Sequence, residues 1–175
     1  MRIVTLIALI FLAAPFVRVQ VQDAEIRLTH WPNGQVRSQI EARRNLQGRM
    51  IRDGRAQLFH EDGSLWGRGD FTNDQEQGRW VWFDPGGEVS AVCDYIDGAG
   101  KYHDLLPNGK VLREGKMIGT AREGQWREYY PSGRVKLEGG YLNDQQHGRW
   151  TAYTDQDSPV SETVRFEHGE IVERF

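Results

Sequence analysis

The 175-residue sequence has little cysteine, little net charge and no long hydrophobic run. Cys93 is its only cysteine, which excludes an intramolecular disulfide and a thiolate-rich zinc or iron–sulfur site. The 22 Lys and Arg residues against 25 Asp and Glu give a net charge of -3, so the chain has no global positive field that would attract nucleic acid. These absences argue against a DNA- or RNA-binding protein, and the short length argues against a multidomain enzyme.

A catalytic or metal-binding constellation is also missing from the sequence. A catalytic site needs a nucleophile or paired acids held beside a base or a metal, and no spacing here provides that. The stretch His60-Glu61-Asp62 lies in one hairpin loop, where consecutive side chains cannot converge on an ion. Asp155-Gln156-Asp157 is too short for a calcium loop. We therefore predict a non-enzymatic protein that uses no cofactor and no metal.

The one apolar run lies at the amino terminus, over residues 3–17, between Arg2 and Arg18. Its 15 residues are fewer than the roughly 20 that a membrane-spanning helix needs, and a short apolar run after a positive charge is typical of a signal peptide. The residues before the expected cut do not match the small-residue pattern of a cleavage site. We predict that residues 1–20 are a signal peptide or an uncleaved membrane anchor, and that residues 21–175 form an exported domain. That domain is then periplasmic or associated with the cell envelope.

Glycine is abundant, with 20 residues, and much of it is periodic. From residue 54 onward a glycine is followed by a second glycine nine residues later, and successive pairs step by 24, 22 and 24 residues. An internal period of 20–50 residues indicates a repeat architecture. Residues 73–78 also recur almost intact as residues 143–148. The glycine pairs are Gly54/Gly63, Gly78/Gly87, Gly100/Gly109 and Gly124/Gly133.

Each repeat unit has the pattern of a β-hairpin. Trp126 and Glu128 share one face of a first alternating run, and Val135 and Leu137 share one face of a second. The runs flank a Pro-x-Gly turn in which proline presets a negative φ and glycine takes φ > 0. We predict an all-β fold, an elongated meander of about six antiparallel hairpins. The turns are Pro32-Asn33-Gly34, Pro85-Gly86-Gly87, Pro107-Asn108-Gly109 and Pro131-Ser132-Gly133.

Three local expectations follow from this register. Gly133 should have φ > 0, so a β-branched residue should not fit there. Gly139 lies mid-strand, where alanine should fit an extended backbone unless close packing requires glycine there. The stretch from Glu41 to Asp53 interrupts the alternation, and we expect a loop or a local distortion there.

The recurring Gly-Arg-Trp-x-x-[Phe/Tyr] pattern, best seen in residues 78–95 and 124–141, resembles the MORN repeat. It is most similar to the bacterial MORN-variant group often labelled YwqK-like antitoxins, over about residues 26–175. The resemblance implies a twisted meander of hairpins with an aromatic-lined face, and a binding or scaffolding role. A second resemblance is to aromatic-rich cell-wall-binding repeats that hold choline or sugar, which have a shorter period.

The aromatic residues are the candidate binding surface. Trp80 and Trp82 share one face of their strand, so Val81 and Phe83 take the other, and both faces of that hairpin are apolar. We predict contact with an envelope protein, in a scaffold or antitoxin-like role, and the alternative is a cell-wall glycan. The candidate residues are Trp80, Trp82, Trp126, Tyr129, Trp150 and Tyr153.

An arginine cluster near the amino terminus is the second candidate surface. Residues 37–55 carry a local net charge of +4 in an acidic protein. If the signal is retained, these arginines face anionic headgroups; otherwise they belong to a solvated loop. The candidate membrane-proximal patch is Arg43, Arg44, Arg49 and Arg52.

Overall fold

The computed structural model describes residues 24–156 and 160–175, and every regular element in them is a β-strand. The predicted signal or anchor over residues 1–20 lies outside the described residues. In the described part, no helix has the length and apolar character to span a membrane. The strands are β1 (Glu25–His30), β2 (Val36–Arg44), β3 (Met50–Phe59), β4 (Leu65–Thr72), β5 (Gln75–Phe83), β6 (Val89–Ile96), β7 (Ala99–Leu105), β8 (Val111–Ile118), β9 (Ala121–Tyr129), β10 (Val135–Leu142), β11 (Gln145–Tyr153), β12 (Val160–Glu167) and β13 (Glu170–Arg174).

These strands form one open antiparallel sheet in which chain order and spatial order are the same, from β1 to β13. Six hairpins pair β1 with β2 and so on up to β11 with β12, and β13 adds one further strand. A strand with only one neighbour lies at each end of the sheet. The predicted all-β hairpin meander is confirmed.

The turns that follow β1, β5, β7 and β9 have the predicted geometry. Gly133 has a φ of 93°, and its amide donates to the Tyr130 carbonyl over 2.8 Å. Gly34, Gly87 and Gly109 have φ values of 87°, 85° and 77° in the same place. The prediction for Gly133 is confirmed.

At the other ends of the strands, two-residue turns connect most hairpins to the next. Asn73 and Asp74 both have positive φ, and so do Asn143 and Asp144, as type I′ turns require. The turn between β2 and β3 is longer, because residues 45–49 lie outside both strands. This turn accounts for the predicted distortion between β2 and β3.

Four glycines with positive φ, Gly54, Gly78, Gly124 and Gly148, lie in the odd-numbered strands beside register shifts. At such a β-bulge, extra residues on one strand oppose a single residue on its neighbour. The equivalent Gly100 has no positive φ, and the pairing of β7 with both neighbours is regular at that point. Each of the last three bulges lies two residues before a tryptophan and so sets the face of the sheet on which that ring lies.

Candidate binding surface

The core lies on one face of the sheet, and we call this face the aromatic face. Residues directly opposite each other on neighbouring strands share a face, so the pairing places one residue from each strand in a single row across the sheet. Small residues and aromatic residues lie next to each other along this row, because the ring on one strand covers a small residue on the neighbouring strand. At the two bulges that interrupt the pairing, ring contacts continue the row from Gly69 to Trp80 and from Gly139 to Trp150. From β3 to β12 the row is Ala56, Gly69, Trp80, Cys93, Tyr102, Gly115, Trp126, Gly139, Trp150 and Val164.

Three tryptophans repeat one local arrangement. The Trp126 ring lies on Gly115, so a Cβ built on that glycine would overlap the indole. The Trp126 Nε1–H donates to the Lys116 carbonyl over 3.1 Å, at the edge of the bulge. Trp80 does the same with Gly69 and the Asp70 carbonyl (3.0 Å), and Trp150 with Gly139 and the Gly140 carbonyl (3.0 Å).

The sequence signal for this arrangement is a fixed spacing that sequence reasoning missed. In each case the glycine lies eleven residues before the tryptophan, and the accepting carbonyl lies ten before it. In the regular β7 unit, which has no bulge, the ring is Tyr102, and the residue opposite it is Cys93, nine positions earlier. The bulge, the glycine and the tryptophan therefore form one structural unit.

Eight rings form a continuous aromatic ladder across the sheet. Successive ring centroids are 5.1 to 6.2 Å apart, in the range of favourable aromatic pairs, and most pairs are tilted or edge-to-face. A thin sheet has no second layer, so this ladder supplies its core. In order, the rings are Phe71, Trp80, Trp82, Tyr102, Trp126, Tyr141, Trp150 and Phe166.

Most of the tryptophans predicted to form a binding surface are buried in the ladder. Trp80 and Trp126 are 3% exposed and Trp150 is 4% exposed, so these three indoles are core residues. Trp82 is half-buried and keeps part of its ring toward solvent. A contact surface on this face therefore has to use Trp82 and its neighbours.

Tyr129 and Tyr153 lie on the opposite face, which we call the polar face. The Tyr129 hydroxyl donates to Glu114 over 2.6 Å, and the Tyr153 hydroxyl donates to Glu138 over 2.8 Å. Both carboxylates belong to a row across β8 to β10, in which Arg127 pairs with Glu138 over 3.0 Å. The six predicted aromatics therefore lie on two faces, with Tyr129 and Tyr153 on the polar face and the tryptophans on the aromatic face, and their part in binding stays a prediction.

This row on the polar face also shifts the pKa values of its carboxyls. Hydrogen bonds from Tyr129 and Lys101 hold the pKa of Glu114 below its usual range. Arg127 and then Tyr153 do the same for the pKa of Glu138. The ionised form of each carboxyl is the one that the folded sheet stabilises.

A groove of about 430 Å³ opens on the aromatic face, from β4 to the turn that follows β10. Trp66, which is 44% exposed, and Trp82 both line it, and so does Tyr102, whose hydroxyl donates to Asp104 over 2.5 Å. Trp66 is the extra residue at a register shift of β4, between Leu65 and Gly67. Two ion pairs, Arg113 with Asp104 and Arg122 with Asp144, also lie at the groove. Solvent-facing indole surface and fixed charges thus occur in one concave site, which sequence reasoning did not assemble.

The predicted basic patch is largely neutralised by carboxylates. Arg43 pairs with Asp53 over 2.8 Å, which lowers the pKa of that carboxyl. Arg49 and Arg52 both lie 3.5 Å from Asp74, a residue of the next turn. Arg44 donates to the Gly48 carbonyl over 2.8 Å. The patch has less free charge than the sequence count gives it, and its contact with a membrane stays a prediction.

Arg52 also belongs to a clamp that recurs 70 residues later. Arg52 lies 4.1 Å from the Phe71 ring centroid, and its amide donates to Asp74 Oδ1 over 2.8 Å. Arg122 lies 4.1 Å from the Tyr141 ring and bonds Asp144 in the same way. The arginine, the ring and the turn aspartate therefore tie adjacent hairpins together.

Other reactive groups on the described strands form no site. Cys93 is fully buried on the aromatic face, and burial raises the pKa of its thiol to about 11. Among the described residues, no three His, Cys, Asp or Glu side chains are grouped to hold a metal ion. The geometry is therefore that of a β-hairpin repeat protein with one groove of exposed aromatic and charged groups.

Comparison with known proteins agrees with this class at two places in the chain. A family model described as "MORN repeat variant" matches residues 52–73 and residues 122–143. These segments begin at the two clamp arginines, Arg52 and Arg122, and end at Asn73 and Asn143 of the I′ turns. The YwqK-like antitoxin label stays a resemblance, and no curated protein matches the chain.

Several solved structures match part of the chain at low similarity. The crystal structure of TarM matches with a TM-score of 0.40 at 11% identity, over 56% of this chain and 20% of that chain. The Glycosylation Associate Protein complex from Streptococcus agalactiae matches with a TM-score of 0.35 at 19% identity, over 61% and 19%. The GtfA/B complex bound to UDP and GlcNAc matches with a TM-score of 0.23 at 13% identity, over 90% and 26%. The chain spans about a fifth to a quarter of the length of these structures.

Proposed function

We propose that the chain is a non-catalytic, exported repeat protein that binds a partner protein in the cell envelope through the groove on its aromatic face. The observation that carries the proposal is the exposed indole surface of Trp66 beside Trp82, next to the Arg113–Asp104 pair. Tryptophan, tyrosine and arginine are the residue types that dominate binding energy at protein interfaces. The rest of the ladder serves as a rigid support for these side chains.

The experiment compares Trp66→Ala with a matched control, Phe175→Ala. Both rings are exposed, but Phe175 lies at the carboxyl end, away from the groove. Envelope proteins retained by the wild-type chain are identified, and the affinity of the purified partner is measured for each variant. We expect Trp66→Ala to weaken binding by about 30-fold or more, as for a hot-spot residue, and Phe175→Ala to bind as wild type. Equal affinity for all three proteins would contradict the proposal.

A scaffold or antitoxin-like role is the finer form of this proposal. Its support is the hairpin-repeat architecture, which presents one surface over many strands. Trp80→Ala is not a suitable test, because Trp80 is core and its truncation would unfold the sheet.

The groove also supports a second candidate function, binding of a cell-wall glycan. Its volume falls in the range of small-ligand sites, and Asp104 and Arg113 can hydrogen-bond hydroxyl groups beside an indole ring that stacks on a sugar. The test measures retention of the protein on purified cell-wall glycan. Retention that Trp66→Ala abolishes, in the absence of any protein partner, would favour this candidate over the first.

A further inference from the structure

The edge strand β1 is open on its outer side in the part of the chain that the structure describes. There it has only β2 as a neighbour, and all six of its residues are exposed. Natural edge strands are usually blunted by charged side chains, lysine above all, or by proline, a bulge or very short length. From Glu25 to Thr29 this strand has no lysine and no proline, its two charges are of opposite sign, and its pairing with β2 is regular. Its outer edge can therefore accept another extended strand.

The opposite edge strand, β13, is blunted. Its pairing with β12 shifts at Phe166, so the strand has an extra residue at Val172. Arg174 and Glu173 are already held by Glu162 and Arg165 of β12. A second strand would not find a straight, free edge there.

The residues of β1 are complementary to a second copy of themselves. Glu25 and Arg27 lie on the aromatic face, opposite Ala42 and Ile40 of β2, while Ile26 and Leu28 lie on the polar face and are 60% and 50% exposed. In an antiparallel pair about a two-fold axis, one residue faces its own copy and its neighbours face each other. The register decides which side chains meet.

A pair centred on Ile26 places a complementary side chain opposite each residue from 24 to 28. Glu25 of each copy lies opposite Arg27 of the other, which gives two ion pairs on one face. Ile26 then lies opposite Ile26, and Ala24 lies opposite Leu28, on the other face. A pair centred on Arg27 would instead place two arginines opposite each other, and a pair centred on Leu28 would form no ion pair.

We propose that the chain forms a two-fold dimer by antiparallel pairing of β1 with β1, centred on Ile26, which joins two sheets into one. Within one copy, Arg27 Nε lies 3.9 Å from Glu25 Oε1, so both groups are already on the same face and at hand for the partner copy. The dimer does not use the groove, so it is independent of the proposed function.

Charge reversal tests the register in the full chain by analytical ultracentrifugation. Arg27→Glu should raise the dimer dissociation constant about tenfold or more, because two attractive pairs become repulsive. Glu25→Lys/Arg27→Glu should restore it, since the swapped charges are again complementary. Arg174→Glu, at the other edge, is the matched control and should leave the dimer unchanged. A monomeric wild-type chain, or a double variant as weak as Arg27→Glu, would overturn the proposal.

A cross-link gives the register directly, because the only native cysteine is buried. In the proposed dimer, Ile26→Cys places two thiols opposite each other, within reach of a disulfide. Leu28→Cys places them about 13 Å apart along the strands, too far to bridge. We expect a covalent dimer from Ile26→Cys under mild oxidation. Faster cross-linking of Leu28→Cys would contradict the register and the proposal.

Discussion

At the scale of single residues, two glycines six positions apart are required for opposite reasons. Gly133 is needed for its backbone, since its φ of 93° is one that side-chain-bearing residues rarely adopt, and a Cβ there would have open space. Gly139 is needed for its lack of a side chain, because the Trp150 ring occupies the place where a Cβ would be. Of the two expectations for Gly139, the structure supports the second, in which close packing requires glycine.

Both positions should be intolerant in unfolding experiments. We expect Gly133→Val to lower the free energy of unfolding by about 1–3 kcal/mol through backbone strain. Gly139→Ala should lower it by about 1–3 kcal/mol through overpacking against Trp150. The control is Gly86→Ala, in an exposed turn without positive φ, where we expect a change within about 0.5 kcal/mol. Urea unfolding checks all three, and a wild-type midpoint for Gly139→Ala would mean that the ring does not lie on this glycine.

Residue type and spacing predicted the hairpins, but not the way the faces are used. Proline and glycine fix the local geometry of a turn, so the Pro-x-Gly positions could be found from the sequence alone. The same alternation separates Tyr129 from Trp126, so the predicted set of aromatics, which was grouped by residue type, is divided between the two faces. The spacing of eleven between Gly139 and Trp150 was visible, and so was the Gly-x-Trp pattern, but the pattern alone does not say that its glycine forms a bulge.

At the scale of elements, strands β8 to β10 are joined on the polar face by carboxylates with depressed pKa values. A carboxyl whose pKa is lower in the folded than in the unfolded chain adds stability above its unfolded pKa, about 4.3 for glutamate. That stability is lost as the pH falls through the folded pKa. Glu114 and Glu138 are in this class.

We therefore expect the pH dependence of unfolding to change when these carboxyls are removed. At pH 7, Glu114→Gln/Glu138→Gln should be less stable than wild type in urea. At about pH 3 the difference should shrink, because the wild-type carboxyls then bind protons too. Glu88→Gln, in an exposed turn, is the control and should match wild type at both pH values. A deficit that is the same at both pH values would contradict this role of the ion pairs.

The element scale also explains why the basic patch was overestimated. The sequence places Arg49 and Arg52 in a stretch with only two acids, Glu41 and Asp53. The meander brings Asp74, from the next two-residue turn, beside both arginines. A charge count along one segment cannot include a partner that arrives through strand pairing.

At the scale of the whole molecule, a single sheet without a second layer is held by one line of rings. Each ring packs on the rings and small residues of its neighbours, so the aromatic face is at once the core and the support of the groove. This double use limits binding to the rings that the ladder leaves exposed. Because the described sheet is open, the outer edge of β1 can pair in the proposed dimer.

Exchange of the indole N–H protons with deuterium, followed by NMR, tests this central claim most directly. The six tryptophans give six separate indole signals, and five of them lie on the ladder or in the groove. Trp80, Trp126 and Trp150 are buried and donate to backbone carbonyls, so we expect their N–H protons to exchange slowly, with global unfolding. Trp66 and Trp82 have no acceptor among the described residues and line the groove, and their N–H protons should exchange fast. Similar rates for all five, or slow exchange at Trp66, would contradict the ladder and the groove together.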